Sequence, residues 1–160
     1  YSPGNFPTEF ACAGREALLK SVVQSIPTFS MSCFRLTKKV CKKITSCMAR
    51  YFWSSNIDRR SMHWISWKKL ASPKESGGMG FREFEAFNIA LLGKHAWRFM
   101  VHPESLCSRV MKSRYFPDSD FMTATILKTA SPIWRAIVAG REALKLGLIK
   151  RVGNGSTISI

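Results

Sequence analysis

The chain has 160 residues, 46% of them hydrophobic, with 25 Lys and Arg against 10 Asp and Glu and a formal charge of +15. That length fits one domain, or at most a domain and a half, and the apolar share suffices for a sizeable core, which excludes intrinsic disorder for most of it. Apolar runs are only a few residues long, as at Ile89-Ala90-Leu91-Leu92, far short of the roughly 18 that span a bilayer.

In chain order, residues 1–10 hold Pro3, Gly4 and Pro7 and read as a loop. The first residue is Tyr1 and no basic or apolar leader pattern follows it, so we expect a fragment of a longer reading frame. From Gly14 to Ser25 the residues Leu18, Leu19, Val22, Val23 and Ile26 recur at helical spacing, and Pro27 ends the element. Thr37 can cap a helix whose apolar positions Val40, Ile44, Cys47, Met48, Tyr51 and Phe52 form one stripe, with Lys38, Lys39, Lys42, Lys43 and Arg50 over much of the rest. Ser54 to Arg60 is a polar loop bearing Arg59 and Arg60. Met62 to Trp67 alternates, as a short strand or the start of a short helix would, and Trp64 and Trp67 are expected in the core.

Residues 72–80, with Pro73, Gly77, Gly78 and Gly80, read as a linker. Then Phe84, Phe87, Leu91, Leu92, Ala96, Phe99 and Met100 trace a long helix stopped at His102-Pro103. Gly93 is an unexpected residue within it, costing up to ~1 kcal/mol relative to Ala. Leu106 to Tyr115 gives another helix, residues 118–130 look irregular, and Ser131 caps a helix with Pro132 at its first position that ends at Gly147. Leu148 to Ile160, around Gly153-Asn154-Gly155, reads as a truncated hairpin. The expected fold is mainly α with a short β element, divided into a basic helical region 1–71, the linker 72–80, a second helical region 81–147 and the hairpin 148–160.

So large a positive surplus in a foldable chain points to a polyanionic partner. Between Ala17 and Ile57 there is no acidic residue, while Lys20, Arg35, Lys38, Lys39, Lys42, Lys43 and Arg50 are all basic. A solubility surface normally interleaves both signs. Nucleic acid is favoured over an anionic membrane because the aromatic content suits a packed core.

Catalytic chemistry is not legible. Asp118-Ser119-Asp120 has the look of turn residues that cap local backbone, and the three His show no triad or ligand spacing. Gly77-Gly78-Met79-Gly80 could offer an anion nest, although a tight turn is the preferred reading. Cys12, Cys33, Cys41, Cys47 and Cys107 have no zinc-finger spacing and are expected to be reduced thiols, mostly in the core. No metal or cofactor is expected.

A set of strings then occurs in order: Gly14-Arg15-Glu16-Ala17-Leu18-Leu19-Lys20, Ile26-Pro27-Thr28-Phe29-Ser30-Met31-Ser32-Cys33-Phe34, His63-Trp64-Ile65-Ser66-Trp67, Gly77-Gly78-Met79-Gly80-Phe81-Arg82, Ser113-Arg114-Tyr115-Phe116-Pro117, Trp134-Arg135-Ala136-Ile137 and Gly153-Asn154-Gly155. Together they resemble plant non-LTR (LINE-type) retrotransposon reverse transcriptases, in the part after the polymerase palm. The resemblance implies a helical thumb and connecting region of an RNA-directed DNA polymerase, without the catalytic Asp-Asp box, which this sequence lacks. The missing palm and a downstream zinc-binding module would be its partners, together with sequence-independent template-primer nucleic acid and no membrane. It implies the nucleus for a parent element and the mitochondrion for a stand-alone copy, which would serve as an RNA-binding or splicing-accessory module or be a relic. The cations expected to grip the backbone are Lys38, Lys39, Lys42 and Lys43, extended by Arg35, Arg50, Arg59 and Arg60.

Overall fold

The structure, a computed structural model, describes residues 9–54 and 62–149. Among these residues the chain is mainly helical, as expected, and the short β element of that expectation is not found, since no strand forms. The helices are α1 (Glu9–Leu18), which continues as a π-helical turn (Leu19–Val23), α2 (Thr28–Cys33), α3 (Lys38–Trp53), α4 (Trp67–Ala71), α5 (Phe84–Val101), α6 (Leu106–Tyr115) and α7 (Pro132–Gly147), with a 3-10 turn at Lys74–Ser76. The C-terminal hairpin falls outside the described residues from position 150 onward.

Two expectations are corrected. Of the two readings of Met62 to Trp67 the short helix is the one found, since residues 62–66 form loop and bend and Ser66 caps α4, which begins at Trp67, by accepting from the Lys69 N–H at 3.4 Å. Trp64 is therefore 65% exposed and not a core residue, whereas Trp67 packs against the core with its ring centroid 4.8 Å from that of Phe81. Only Cys41 among the cysteines is buried; Cys12 and Cys33 are half-buried, and Cys47 and Cys107 are exposed.

The chain divides into two compact units, with the boundary between Leu92 and Gly93. In the first, Leu19, Met31, Cys41, Met48, Phe52, Leu70, Phe81 and Phe84 form the core. Residues 72–80 lie inside this unit as a tight turn: the Met79 N–H donates to Leu70 O at 2.8 Å and the Gly80 N–H to Ser72 O at 2.9 Å. The Lys20 ammonium donates to Met79 O and to Glu16, each at 2.5 Å, and stands over the Phe81 ring.

In the second unit Trp134 is fully buried, stacked on Tyr115 and Phe116 with centroids at 4.7 and 5.4 Å. The Tyr115 hydroxyl donates to Ser131 Oγ at 2.9 Å, and Ser131 Oγ in turn accepts from the Trp134 N–H as the cap of α7. Residues 117–130 are irregular, yet anchored, because Arg141, only 6% exposed, donates from Nη1 to the carbonyls of Phe121 and Ala124 at 2.7 Å each. Gly93 is buried where a Cβ would meet the Gly140 carbonyl oxygen at 3.5 Å, an ordinary contact. Gly93→Ala should therefore add about 0.5–1 kcal/mol of stability through helix propensity, read as a raised urea midpoint; a lowered midpoint would show that the two backbones need closer approach.

Candidate nucleic-acid interface

α3 begins where the sequence puts its cap, with Thr37 Oγ1 accepting from the Val40 N–H at 3.4 Å. Its start is fixed from a distance by Asn88 on α5, which is 2% exposed. Asn88 Oδ1 accepts from the Leu36 N–H at 2.8 Å, and Nδ2 donates to the carbonyls of Met31 and Phe34 at 2.6 and 2.9 Å. At the other end, the Arg15 guanidinium donates to Phe52 O at 3.2 Å and so satisfies one of the last-turn carbonyls.

The buried face of α3 is Cys41, Met48, Ala49 and Phe52. Trp53 packs beside it, edge-on to Phe52, which accords with a core role for that ring. The apolar stripe is wider than the core that covers it, since Val40, Cys47 and Tyr51 remain exposed. Lys38, Lys39, Lys42, Lys43 and Arg50 are exposed along the remainder, as is Arg35 just before the helix. At 100° per residue, Lys39, Lys43 and Arg50 fall within about 40° of one another and form a crest. Lys38 and Lys42 sit on its flank. Arg59 and Arg60 lie outside the described residues.

Two hollows border this helix. On one side Lys43 edges an apolar groove of about 470 Å³. On the other, Lys42 edges a cleft of about 680 Å³ whose opposite wall includes Glu83 and Glu85. Burial raises the Cys41 thiol pKa, and the charges of Glu85 and Glu83 push it up further, so this residue is a neutral thiol. Lys42 is consequently the one lysine of the four with acids across a cleft from it, a neighbourhood invisible in the acid-free stretch of sequence around it. Among the described residues no ion pair to an acid involves Lys38, Lys39, Lys42, Lys43, Arg35 or Arg50. The Arg50 guanidinium lies 3.6 Å from Cys47 Sγ.

The glycine-rich turn offers no anion nest. The N–H groups of Gly77, Gly78, Met79 and Gly80 donate to Lys74, Pro73, Leu70 and Ser72 carbonyls, so none is left for a ligand. Asp120 acts as a local cap, its carboxylate accepting from the Met122 N–H at 3.3 Å. Among the described residues no three His, Cys, Asp or Glu side chains converge as a metal site, and no helix is long and apolar enough to cross a membrane.

The chain thus carries a formal charge of +15, is mainly helical among its described residues, and presents five exposed cations along the amphipathic helix α3. It is 45% identical, over 132 residues, to an uncharacterized mitochondrial protein of Arabidopsis thaliana, an overlap covering 82% of this chain and 86% of that one. The chain belongs to the family of that plant mitochondrial protein. It is also 30% identical over 149 residues, 91% of its length, to an Arabidopsis thaliana protein provisionally named for ribonuclease H, of which it spans only 24%. No protein-family model matches the chain, and no solved structure matches it.

Proposed function

We propose that the chain is a retroelement-derived, non-catalytic segment of a reverse-transcriptase-type polymerase, the thumb and connecting region, and that it grips nucleic-acid backbone through α3 without reading sequence. The observation that supports this most is the crest of Lys39, Lys43 and Arg50 with Lys38 and Lys42 on its flank, all exposed and without an acid in ion-pair reach among the described residues. Lys39 and Lys43 are about 6 Å apart along the helix axis, and Arg50 about 10 Å further on, spacings that suit contacts to separate phosphates rather than to one. Such contacts fix position on a duplex and carry no sequence information. The matched segment within a longer protein named for ribonuclease H is compatible with a part of a nucleic-acid-processing polyprotein.

A second reading has its own support. The region makes up 86% of the mitochondrial relative, so it also occurs as nearly a whole protein, as a stand-alone RNA-binding module or a relic would. That relative favours the mitochondrion for this form.

Changing Lys38, Lys39, Lys42 and Lys43 to Ala together should reduce the slope of log K against log[salt] by roughly 0.9 for each phosphate of duplex DNA that is no longer neutralised. Binding should weaken by a similar factor for unrelated sequences. The Lys39→Ala/Lys43→Ala pair should account for more of the weakening than Lys38→Ala/Lys42→Ala, because Glu83 and Glu85 face Lys42. Alanine preserves helix propensity, and circular dichroism would verify folding. A folded quadruple variant with unchanged affinity and salt slope places the polyanion surface elsewhere.

A further inference from the structure

We propose that the apolar groove between the α1–π turn and α3 receives an amphipathic helix with an acidic polar face, supplied by a partner protein. The groove, about 470 Å³, has Leu19 and Met48 on its floor and Leu18 and Tyr51 at its edges, with Lys43 on the rim. Leu18 is 42% exposed and Tyr51 45%, and Val22 and Val40 are also exposed. These large apolar groups lie on adjoining elements rather than scattered singly, the arrangement that marks a contact surface.

The shape of the hollow suits a helix. Its α3 edge is Lys43, Cys47 and Tyr51 at i, i+4 and i+8, about 12 Å of rise, which is the span of two turns presenting side chains at i, i+3 or i+4, and i+7. The opposite edge is built by the π-helical turn Leu19–Val23. Such turns hold one extra residue and recur at functional sites. Here the turn buries Leu19 while Leu18 and Val22 stay exposed.

Charge selects among occupants. Lys43 stands on the rim, Lys39 and Arg50 are exposed on the crest behind it, and residues 17–57 contain no acid. On α1, Glu16 is already paired with Lys20 at 2.5 Å. A docked helix with Glu or Asp beside its apolar stripe meets cations, and a basic helix meets repulsion. A nucleic-acid base is less suited, because this lining would leave its ring donors and acceptors without partners. The groove is a separate surface from the phosphate-binding crest, sharing only Lys43 with it.

The probe is a fluorescein-labelled synthetic helix of 14 residues with Leu at positions 3, 6, 7 and 10 and Glu on the opposite face, added to the full chain and read by anisotropy. Saturable binding is expected. Leu18→Gln/Tyr51→Gln, two exposed and neutral changes, should weaken it at least about tenfold, since each removes apolar area from the groove, while duplex affinity stays the same. Replacing Glu by Lys in the peptide should abolish binding. No binding by the acidic peptide overturns the proposal, as does equal binding by the lysine peptide or indifference to the double substitution. A fall in duplex affinity in the Leu18→Gln/Tyr51→Gln variant, with peptide affinity unchanged, assigns the groove to nucleic acid and also overturns it. Self-association of the chain that the same double substitution abolishes, with no peptide binding, would identify a second copy as the occupant instead. The lysine variants above test the nucleic-acid reading separately, so either can fail alone.

Discussion

Asn88→Ala is expected to lower the unfolding free energy by about 3 kcal/mol, at the cost of roughly 1 kcal/mol or more for each polar group left without a partner. Asn88 is 2% exposed, and its amide makes three hydrogen bonds to the backbone of residues 31–36. Truncation strands one N–H and two carbonyls between α2 and α3. The donors and acceptors also fix the orientation of the amide, since the oxygen must face the Leu36 N–H and the nitrogen the two carbonyls. Asn88→Asp should therefore be no better than Ala, because it sets a carboxylate against the carbonyls of Met31 and Phe34. Urea titration followed by circular dichroism reads both variants as a lower midpoint with unchanged slope. A drop below about 1 kcal/mol, or an aspartate that restores stability, would show that the amide does not hold the entry to α3. The proposed phosphate contacts should survive in the folded fraction, since no cation is altered, so the salt slope should stay near the wild-type value.

Local rules make some elements legible and leave others hidden. The caps of α3 and α7 are readable because Thr37 and Ser131 precede a clean 3.6-residue pattern, and Pro132 occupies a position where its missing N–H costs nothing. At Pro27 the stop is read correctly, since the first element ends at Val23. What the pattern does not reveal is the short helix α2 that starts directly after it, with Pro27 at its N-terminal boundary. Glu9 to Gly14 is already helical, although the Pro and Gly just before it suggest a loop. Alternation over Met62 to Trp67 spans too few residues to separate a strand from a bend leading into a helix, which is why the pattern misplaces Trp64. The π turn is unreadable because Leu18, Leu19, Val22 and Val23 fit a plain α-helix equally well.

For the candidate surface, sequence reaches the cations but not their surroundings. Exposure of Lys38, Lys39, Lys42, Lys43 and Arg50 follows from helix periodicity alone. The acids opposite Lys42 come from the start of α5, some forty residues away in sequence, and Asn88 reaches its partners across 52 to 57 positions. A single Asn in an apolar helix gives no signal of that role. The partial exposure of Val40, Cys47 and Tyr51 is likewise hidden, since only the packed structure decides how wide a stripe the core covers.

The glycine-rich turn separates two physical reasons for one residue type, and Gly78→Ala should show the larger effect. A Cβ on Gly78 would lie 2.0 Å from the Ser72 carbonyl oxygen and 2.5 Å from its carbon, both backbone atoms that cannot swing aside. Relief requires opening the turn, which also carries the Gly78 to Pro73, Met79 to Leu70 and Gly80 to Ser72 hydrogen bonds. Leu70 and Phe81, on either side of that turn, are both buried in the core of the first unit. The cost should reach about 4 kcal/mol, in the exceptional tail for single substitutions. Gly77 differs. Its φ of 75° is the left-handed region, but nothing lies within 4 Å of a Cβ there. Gly77→Ala should cost only about 1–2 kcal/mol of backbone strain. Gly77→Asn should recover part of that, since Asn tolerates left-handed backbone better than other side chains do. Parallel urea titrations of the three variants test the ranking. If Gly78→Ala proves no worse than Gly77→Ala, the close approach of the two backbone segments is absent in solution, and the burial of Leu70 and Phe81 in the core does not depend on it.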